Sequence, residues 1–256
     1  MPNQRILYIT TEMFPYQEES SMANMVNKMA LKMYRSGNDV RVFMPRFGSI
    51  SERKFQLHEV IRLSGMNVII NDLDQPLIIK VGSLPGERLQ VYFIDNDEYF
   101  KRKPLYIDEE GVPFKDNGER AVFFAKGVVE TIKKLNWVPD VIHINGWMAS
   151  FVLLYLNTYY KDDYFFKNTK MVVSAYNEQD IKMDKTIEEV LKFDNITDLA
   201  SLKKPTTRKF AAEIMSFADV LAKGDEFLEE DVEKVYKKVK TKKVDFVESD
   251  SIDTIY

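Results

Sequence analysis

Arg5-Ile-Leu-Tyr-Ile-Thr10 is a β-rich run that breaks into a polar loop, and Met22, Met25, Val26, Met29, Ala30 and Met33 follow it at helical spacing. Gly37 stops that helix, and Asp39-Val-Arg-Val-Phe-Met44 reads as a second strand. Strand, helix and strand within 45 residues make a βαβ unit. Two strands joined through a helix run parallel, so the unit predicts a parallel sheet with helices on its faces.

Downstream, Val68-Ile70, Leu77-Val81 and Leu89-Ile94 are short apolar stretches separated by turn residues, and they predict strands or hairpins at the edge of the sheet. Residues 97–117 read as loop. Between Gly118 and Leu135, Ala121, Phe124, Ala125, Val128, Val129 and Ile132 mark one face of a long helix. A strand at Asp140–Ile144, an apolar helix at Ala149–Tyr159 and a strand at Lys170–Ser174 resume the alternation. A polar stretch from Glu178 to Pro205 precedes a helix around Phe210–Phe217 and a strand at Asp219–Ala222. Leu228, Val232, Val235, Tyr236 and Val239 then share one helical face. The expected fold is α/β, a Rossmann-like, doubly wound, mostly parallel sheet with inserted edge strands. One domain is expected over 1–240, with a charged, flexible tail at 241–256.

Composition narrows the function. The 256 residues are 45% hydrophobic and 30% charged with 9 Pro and 10 Gly, as in a globular chain. Lys and Arg total 36 against 40 Asp and Glu, a net charge of −4, which argues against a nucleic-acid partner. The absence of Cys removes disulfides, thiolate metal sites and cysteine nucleophiles. Two histidines, His58 and His143, are too few for a multi-histidine metal site, so neither a metal nor a cofactor is expected. No apolar run reaches membrane-spanning length and no signal peptide is evident, so the chain is expected to be cytoplasmic with no membrane partner. In a doubly wound sheet, ligands gather where loops leave the C-terminal ends of parallel strands. Those loops are Thr11–Ser21, Asn145-Gly146-Trp147 and Tyr176-Asn177-Glu178.

Arg5-Ile-Leu-Tyr-Ile-Thr-Thr-Glu-Met-Phe-Pro15 and Gly37-Asn-Asp-Val-Arg-Val-Phe-Met-Pro-Arg-Phe47 resemble the opening of bacterial glycogen synthases and plant starch synthases. Leu105-Tyr106, Asp116-Asn117 with Glu119-Arg120, Pro139-Asp-Val-Ile-His143 with Trp147, and Ala218-Asp219 continue the likeness in the family's order, from about residue 4 to 230. The resemblance implies the N-terminal half of a two-domain GT-B glycosyltransferase. The family's activity is retaining transfer of glucose from ADP-glucose to the non-reducing end of an α-1,4-glucan, with most of the nucleotide-sugar site on the second domain.

Against that family, the chain departs where chemistry is expected. The Lys-x-Gly-Gly loop is replaced by Glu18, Glu19, Ser20 and Ser21. Two carboxylates repel a diphosphate, whereas a serine caps the next helix and the acidic pair suits its positive end. The His-Asp-Trp-His motif becomes Asn145-Gly146-Trp147-Met148, and His-Asn becomes Tyr176-Asn177. Gly146 and Met148 thus replace the groups that contact the transferred sugar, and Tyr176 cannot do imidazole acid–base work near neutral pH. No catalytic residue is assigned. Candidate ligand-binding residues are Glu12, Asp116, Asn117, Trp147 and Asn177, each with a structural reading beside it. Trp147 either stacks on a sugar or anchors the start of a helix; His143 reads as a satisfied core residue and Arg120 as the ion-pair partner of Glu119.

The expectation is a degenerate, inactive half serving binding, scaffolding or regulation in glucan metabolism, with a glucosyltransferase completed by a separately encoded C-terminal domain as the alternative. Its partner is an α-1,4-glucan or a protein at the strand C-terminal face, or a second copy; ADP-glucose is not expected to bind the isolated chain. The protein reading rests on Trp147, Met148 and Tyr176 leaving that face partly apolar.

Overall fold

The structure, a computed structural model, describes residues 3–17, 20–246 and 255–256. Its strands are β1 (Arg5–Thr10), β2 (Asp39–Pro45), β3 (His58–Glu59), β4 (Met66–Ile70), β5 (Leu73–Ser83), β6 (Gln90–Asp95), β7 (Val141–Asn145), β8 (Lys170–Ala175), β9 (Val220–Lys223) and β10 (Lys242–Val244). The helices are α1 (Ser21–Arg35), α2 (Glu52–Phe55), α3 (Asp97–Phe100), α4 (Asn117–Leu135), α5 (Trp147–Asn157), α6 (Thr186–Phe193), α7 (Thr207–Ile214) and α8 (Glu230–Lys238).

The strand order is β10-β9-β8-β7-β1-β2-β6-β5-β3, with β4 paired to β5. From β10 to β6 every neighbouring pair is parallel. β5 turns antiparallel against β6 and carries β3 and β4 on itself. The doubly wound sheet with an added edge is therefore present. Leu89–Ile94 departs from its reading as an edge element: as β6 it pairs parallel with β2 inside the main sheet, and the antiparallel edge begins only at β5. Right-handed crossovers place α1 on one face, and α4, α5 and α7 on the other, because the chain reverses its direction across the sheet after β6.

The strand interiors are continuous apolar runs, as a sheet covered on both faces requires. α1 buries Met22, Ala23, Val26, Met29, Ala30 and Met33, the stripe read from the sequence. α8 buries Val232 and Tyr236, with Leu228, Val235 and Val239 packed beside them. The polar stretch 178–205 contains α6, whose Ile187, Val190 and Leu191 face the core.

Within the expected flexible tail, Lys242–Val244 form β10 in register with Val220–Ala222. Ile255 is buried, and the Tyr256 hydroxyl bonds both Tyr8 and His143 Nδ1, the latter at 2.7 Å. Residues 247–254 of that tail lie outside the described residues. Among the described residues, no helix is long and apolar enough to cross a membrane, and no group of three or more His, Asp or Glu side chains could hold a metal ion.

Candidate functional site

From β1 the chain passes to β2 and β6 on one side, and from β7 to β8, β9 and β10 on the other. The switch point lies between β1 and β7, and in such sheets the ligand crevice opens beyond the strand C-termini there. A cleft of about 260 Å³ occupies this place, lined by Glu12, Ser20, Tyr106, Trp147, Asn177 and Glu178 among others. Three of the five expected ligand-binding residues, Glu12, Trp147 and Asn177, meet in it; Asp116 and Asn117 are not among its lining.

Ser20 organises the first wall. Its Oγ accepts the Ala23 N–H at 2.9 Å, capping α1 as the sequence suggests, and donates to Glu12 Oε2 at 2.6 Å. Glu18 and Glu19, the departures from the Lys-x-Gly-Gly loop, lie outside the described residues.

The second wall begins at Gly146, whose φ of 95° lies in the left-handed region. Trp147 opens α5; its N–H donates to Glu178 Oε1 at 3.0 Å. Its ring stands edge-on to Tyr106 at 5.0 Å and Phe151 at 6.4 Å and is only 2% exposed, so it is a packing anchor that walls the cleft. Met148 is fully buried, and Tyr176 is 5% exposed with its hydroxyl donating to Asn145 Oδ1 at 3.0 Å. The apolar face expected from Trp147, Met148 and Tyr176 is therefore not presented to solvent. The first turn of α5 points into the core, and the Tyr176 ring lies flush against the backbone of Gly224, where a Cβ would fall 2.2 Å from it.

Asn177 closes the third side as a loop clasp. Its Nδ2 donates to the Phe227 carbonyl and its Oδ1 accepts the Glu229 N–H, both at 2.7 Å. Next to it, Glu178 is half-buried. Desolvation pushes its pKa up to about 8, the Trp147 N–H opposes the shift, and the charges of Glu12 and Asp225 add to it. Glu178 was visible in the sequence only as a loop member, because its partners come from the loop after β1, the start of α5 and the loop after β9.

Among the described residues, no Lys or Arg lines this cleft. Arg208 stands close by, but its guanidinium is committed to the Glu178 carbonyl at 2.9 Å, to Glu229 at 3.2 Å and to Asp231. Lys54 and Lys103 line a separate hollow of about 790 Å³ on the far side of Glu12 and Ser20.

The other sequence candidates hold the scaffold. Arg120 makes no ion pair with Glu119; it is buried and donates to the carbonyls of Tyr99 (2.8 Å) and Leu105 (2.6 Å) and to Asn117 Oδ1 (2.8 Å). Adjacent helical residues point to different sides, so Glu119 instead accepts the Tyr99 hydroxyl at 3.2 Å. Asn117 Nδ2 donates to the Tyr106 carbonyl at 2.8 Å, and Asp116 pairs with Arg102. These contacts tie the 97–117 segment to α4. His143 is a satisfied core residue: Nε2 meets Ser174 Oγ at 2.8 Å, Nδ1 meets Tyr256, and desolvation lowers its pKa to about 3.

A mostly parallel, doubly wound sheet with its cleft at the β1–β7 switch point has the fold of the N-terminal half of the GT-B architecture. The chain belongs to the family of the starch synthase catalytic domain, whose model matches residues 5–254. It is 38% identical over 192 residues to the glycogen synthase of Chlorobium luteolum, covering 74% of this chain and 39% of that protein. With the glycogen synthase of Chlorobaculum tepidum it shares 39% over 176 residues, 68% of this chain and 36% of the relative. The chain thus spans well under half the length of the curated relatives it matches. Among solved structures, the catalytic domain of starch synthase IV from Arabidopsis thaliana, bound to ADP and acarbose, superposes with a TM-score of 0.71 at 17% identity. That alignment covers 97% of this chain and 53% of the other, and it shows the fold.

Proposed function

We propose that this domain binds saccharide directly, as a glucan-binding or scaffolding module of glucan metabolism, and that its cleft does not serve glucose transfer from ADP-glucose. The observation that carries the reading is the lack of positive charge in the cleft: Glu12 and Glu178 line it, and no Lys or Arg among the described residues does. Transfer from a nucleotide diphosphate needs positive charge or free N–H groups at the leaving phosphates and oriented polar groups around the sugar. Here Gly146 offers no side chain, Met148 is buried in the core, and the Tyr176 hydroxyl is spent on Asn145. A neutral saccharide, whose hydroxyls donate to carboxylates and accept from N–H groups, suits the same walls. A protein on this face would have to grip a polar rim and the exposed Phe227, since the three larger apolar side chains are turned inward.

Calorimetric titration with maltooligosaccharides and with ADP-glucose, alongside radiolabelled transfer to glycogen, tests this. Saturable maltooligosaccharide binding without ADP-glucose binding is expected. ADP-glucose binding below millimolar, or turnover by the purified chain, would overturn the reading; turnover only after addition of a separately expressed GT-B C-terminal domain would replace it with a split transferase.

A further inference from the structure

We infer that this chain docks onto a second copy of itself, the tip of the β4–β5 hairpin of one copy entering a lysine-lined hollow between α7 and α8 of the other. The contact shares no residue with the β1–β7 cleft.

The hollow has a volume of about 640 Å³. Ala212 of α7 with Val235 and Val239 at the end of α8 give it half-buried apolar walls, and the exposed Lys209, Lys238 and Lys240 surround them with three ammonium groups. Glu213 also lines it, but both of its oxygens are engaged, accepting the N–H groups of Ala200 at 2.8 Å and Ser201 at 2.9 Å. Lys234 and Lys237, on the same helix as Lys238, pair with Glu230 and Glu233. An apolar interior with unpaired cations around it suits an apolar side chain flanked by carboxylates.

The β4–β5 hairpin carries such a group. Ile70 pairs with Leu73, so the turn is Asn71-Asp72, with Asn71 at a φ of 56°. Leu73 is 61% exposed, and Asp72 and Asp74 on either side of it are exposed as well. Among the described residues, neither of these carboxylates and none of the three hollow lysines makes an ion pair. A lone exposed leucine is ordinary on a protein surface. Here it stands at a turn between two free carboxylates, the complement of the hollow in both shape and charge. The turn at 108–112 is a weaker match: Val112 is smaller than leucine, Pro113 follows it in place of a carboxylate, and Asp108 is engaged with the N–H groups of Glu110 and Val112.

Topology makes the occupant a second copy. The Tyr236 hydroxyl of α8 donates to the Leu221 carbonyl at 3.4 Å and the Val244 carbonyl at 2.8 Å, which fixes the helix over β9 and β10 at one edge of the sheet. β5 stands seven strand spacings from β10, roughly 30 Å away, so a chain does not reach its own hollow with its own tip. Every copy brings both parts. With a net charge of −4, two copies repel one another in most orientations, and the hollow is where an acidic tip is attracted instead.

Sedimentation velocity of the full chain tests the inference. At low salt the mean mass should rise above that of the monomer once the concentration passes roughly 100 µM, as for a contact of small area, and should fall back as salt is added. Leu73→Ser should weaken association roughly tenfold. Two charge-reversed proteins supply the sharper comparison: Lys238→Glu with Lys240→Glu in the hollow, and Asp72→Lys with Asp74→Lys at the tip. Each alone should stay monomeric, because its tip and hollow then carry like charge. Mixed one to one they should associate, since each meets opposite charge on the other, and that recovery also shows both to be folded. Glu109→Lys with Glu110→Lys should associate like the unaltered chain. Three outcomes would overturn the inference: a chain monomeric at every concentration and salt, a mixture that stays monomeric while both variants melt with the unaltered chain, or a loss confined to the 109–110 variant. Saturable binding of laurate in the hollow by a chain that does not self-associate would overturn it too, and would assign the hollow to a small anionic amphiphile.

Discussion

Gly146 shows how firmly a departure from the family can be built into the surrounding structure. Its φ of 95° suits glycine, and a Cβ there would fall 2.3 Å from Thr11 Oγ1 and 3.2 Å from Met22 Sδ. A side chain at this position must therefore displace the loop after β1 as well as adopt a strained backbone. Gly146→Ala is expected to lower stability by about 1–3 kcal/mol in urea denaturation. Adding Thr11→Ala should recover the steric share and leave the backbone share. An unchanged midpoint for Gly146→Ala would mean that the loop gives way freely. The sequence displays Gly146, Met148 and Tyr176 as replacements, and that much of the site was legible from residue identity. It does not display that Met148 and Tyr176 turn inward: Met148 is fully buried in the core, and the Tyr176 ring packs on the loop after β9, nearly fifty residues away along the chain. Glu178 escaped notice for the same reason: its raised pKa arises from burial, Glu12 and Asp225, none of which is local.

Elements with one dominant apolar stripe, such as α1 and α4, declare themselves through periodicity. Others need information that local pattern lacks. β6 looks like any short apolar strand, and only its register with β2 makes it part of the parallel sheet. β10, Lys242-Lys243-Val244, has no apolar alternation and is held by backbone pairing to β9. α6 hides within a polar stretch, and the residue that ends it is the hub of a buried network. Asp194 Oδ1 accepts the Lys126 ammonium at 2.7 Å, Oδ2 accepts the Tyr155 hydroxyl at 2.6 Å, and Lys126 also donates to the Ile69 carbonyl at 2.8 Å. One buried ion pair thus joins α4, α5, α6 and β4, across sequence separations that no motif would reveal. Removing it strands a buried ammonium, which commonly costs about 3–5 kcal/mol. Asp194→Ala should show a loss of that size in chemical denaturation; a loss below about 1 kcal/mol would mean that the pair is relaxed by solvent.

Across the whole molecule, two groups with opposed shifts shape stability against pH. His143 has its pKa lowered to about 3 from an ordinary 6.5, because burial penalises the imidazolium. The unfolded chain therefore binds a proton that the folded chain refuses, and stability is lost as pH falls from 6.5 toward 3. Glu178 has its pKa raised from 4.5 to about 8, chiefly by desolvation. Here the folded chain holds the extra proton, so stability is fully present below 4.5 and is lost as pH rises through 8. Between 4.5 and 6.5 the two proton differences cancel, which predicts a plateau with a decline on each side. Asp163 is held below the usual carboxylate range by its hydrogen bond to Lys133, and it adds to the acid limb alone. Each limb slopes by at most about 1.4 kcal/mol per pH unit per proton. Glu178→Gln removes the alkaline limb and uncovers the His143 slope, so its stability should fall steadily from pH 6.5 downward and stay level from 6.5 to 8. Urea midpoints for both proteins between pH 4 and 8 check this; matching profiles would show that Glu178 titrates at its ordinary value in the folded chain and that the cleft imposes no coupling between its two carboxylates.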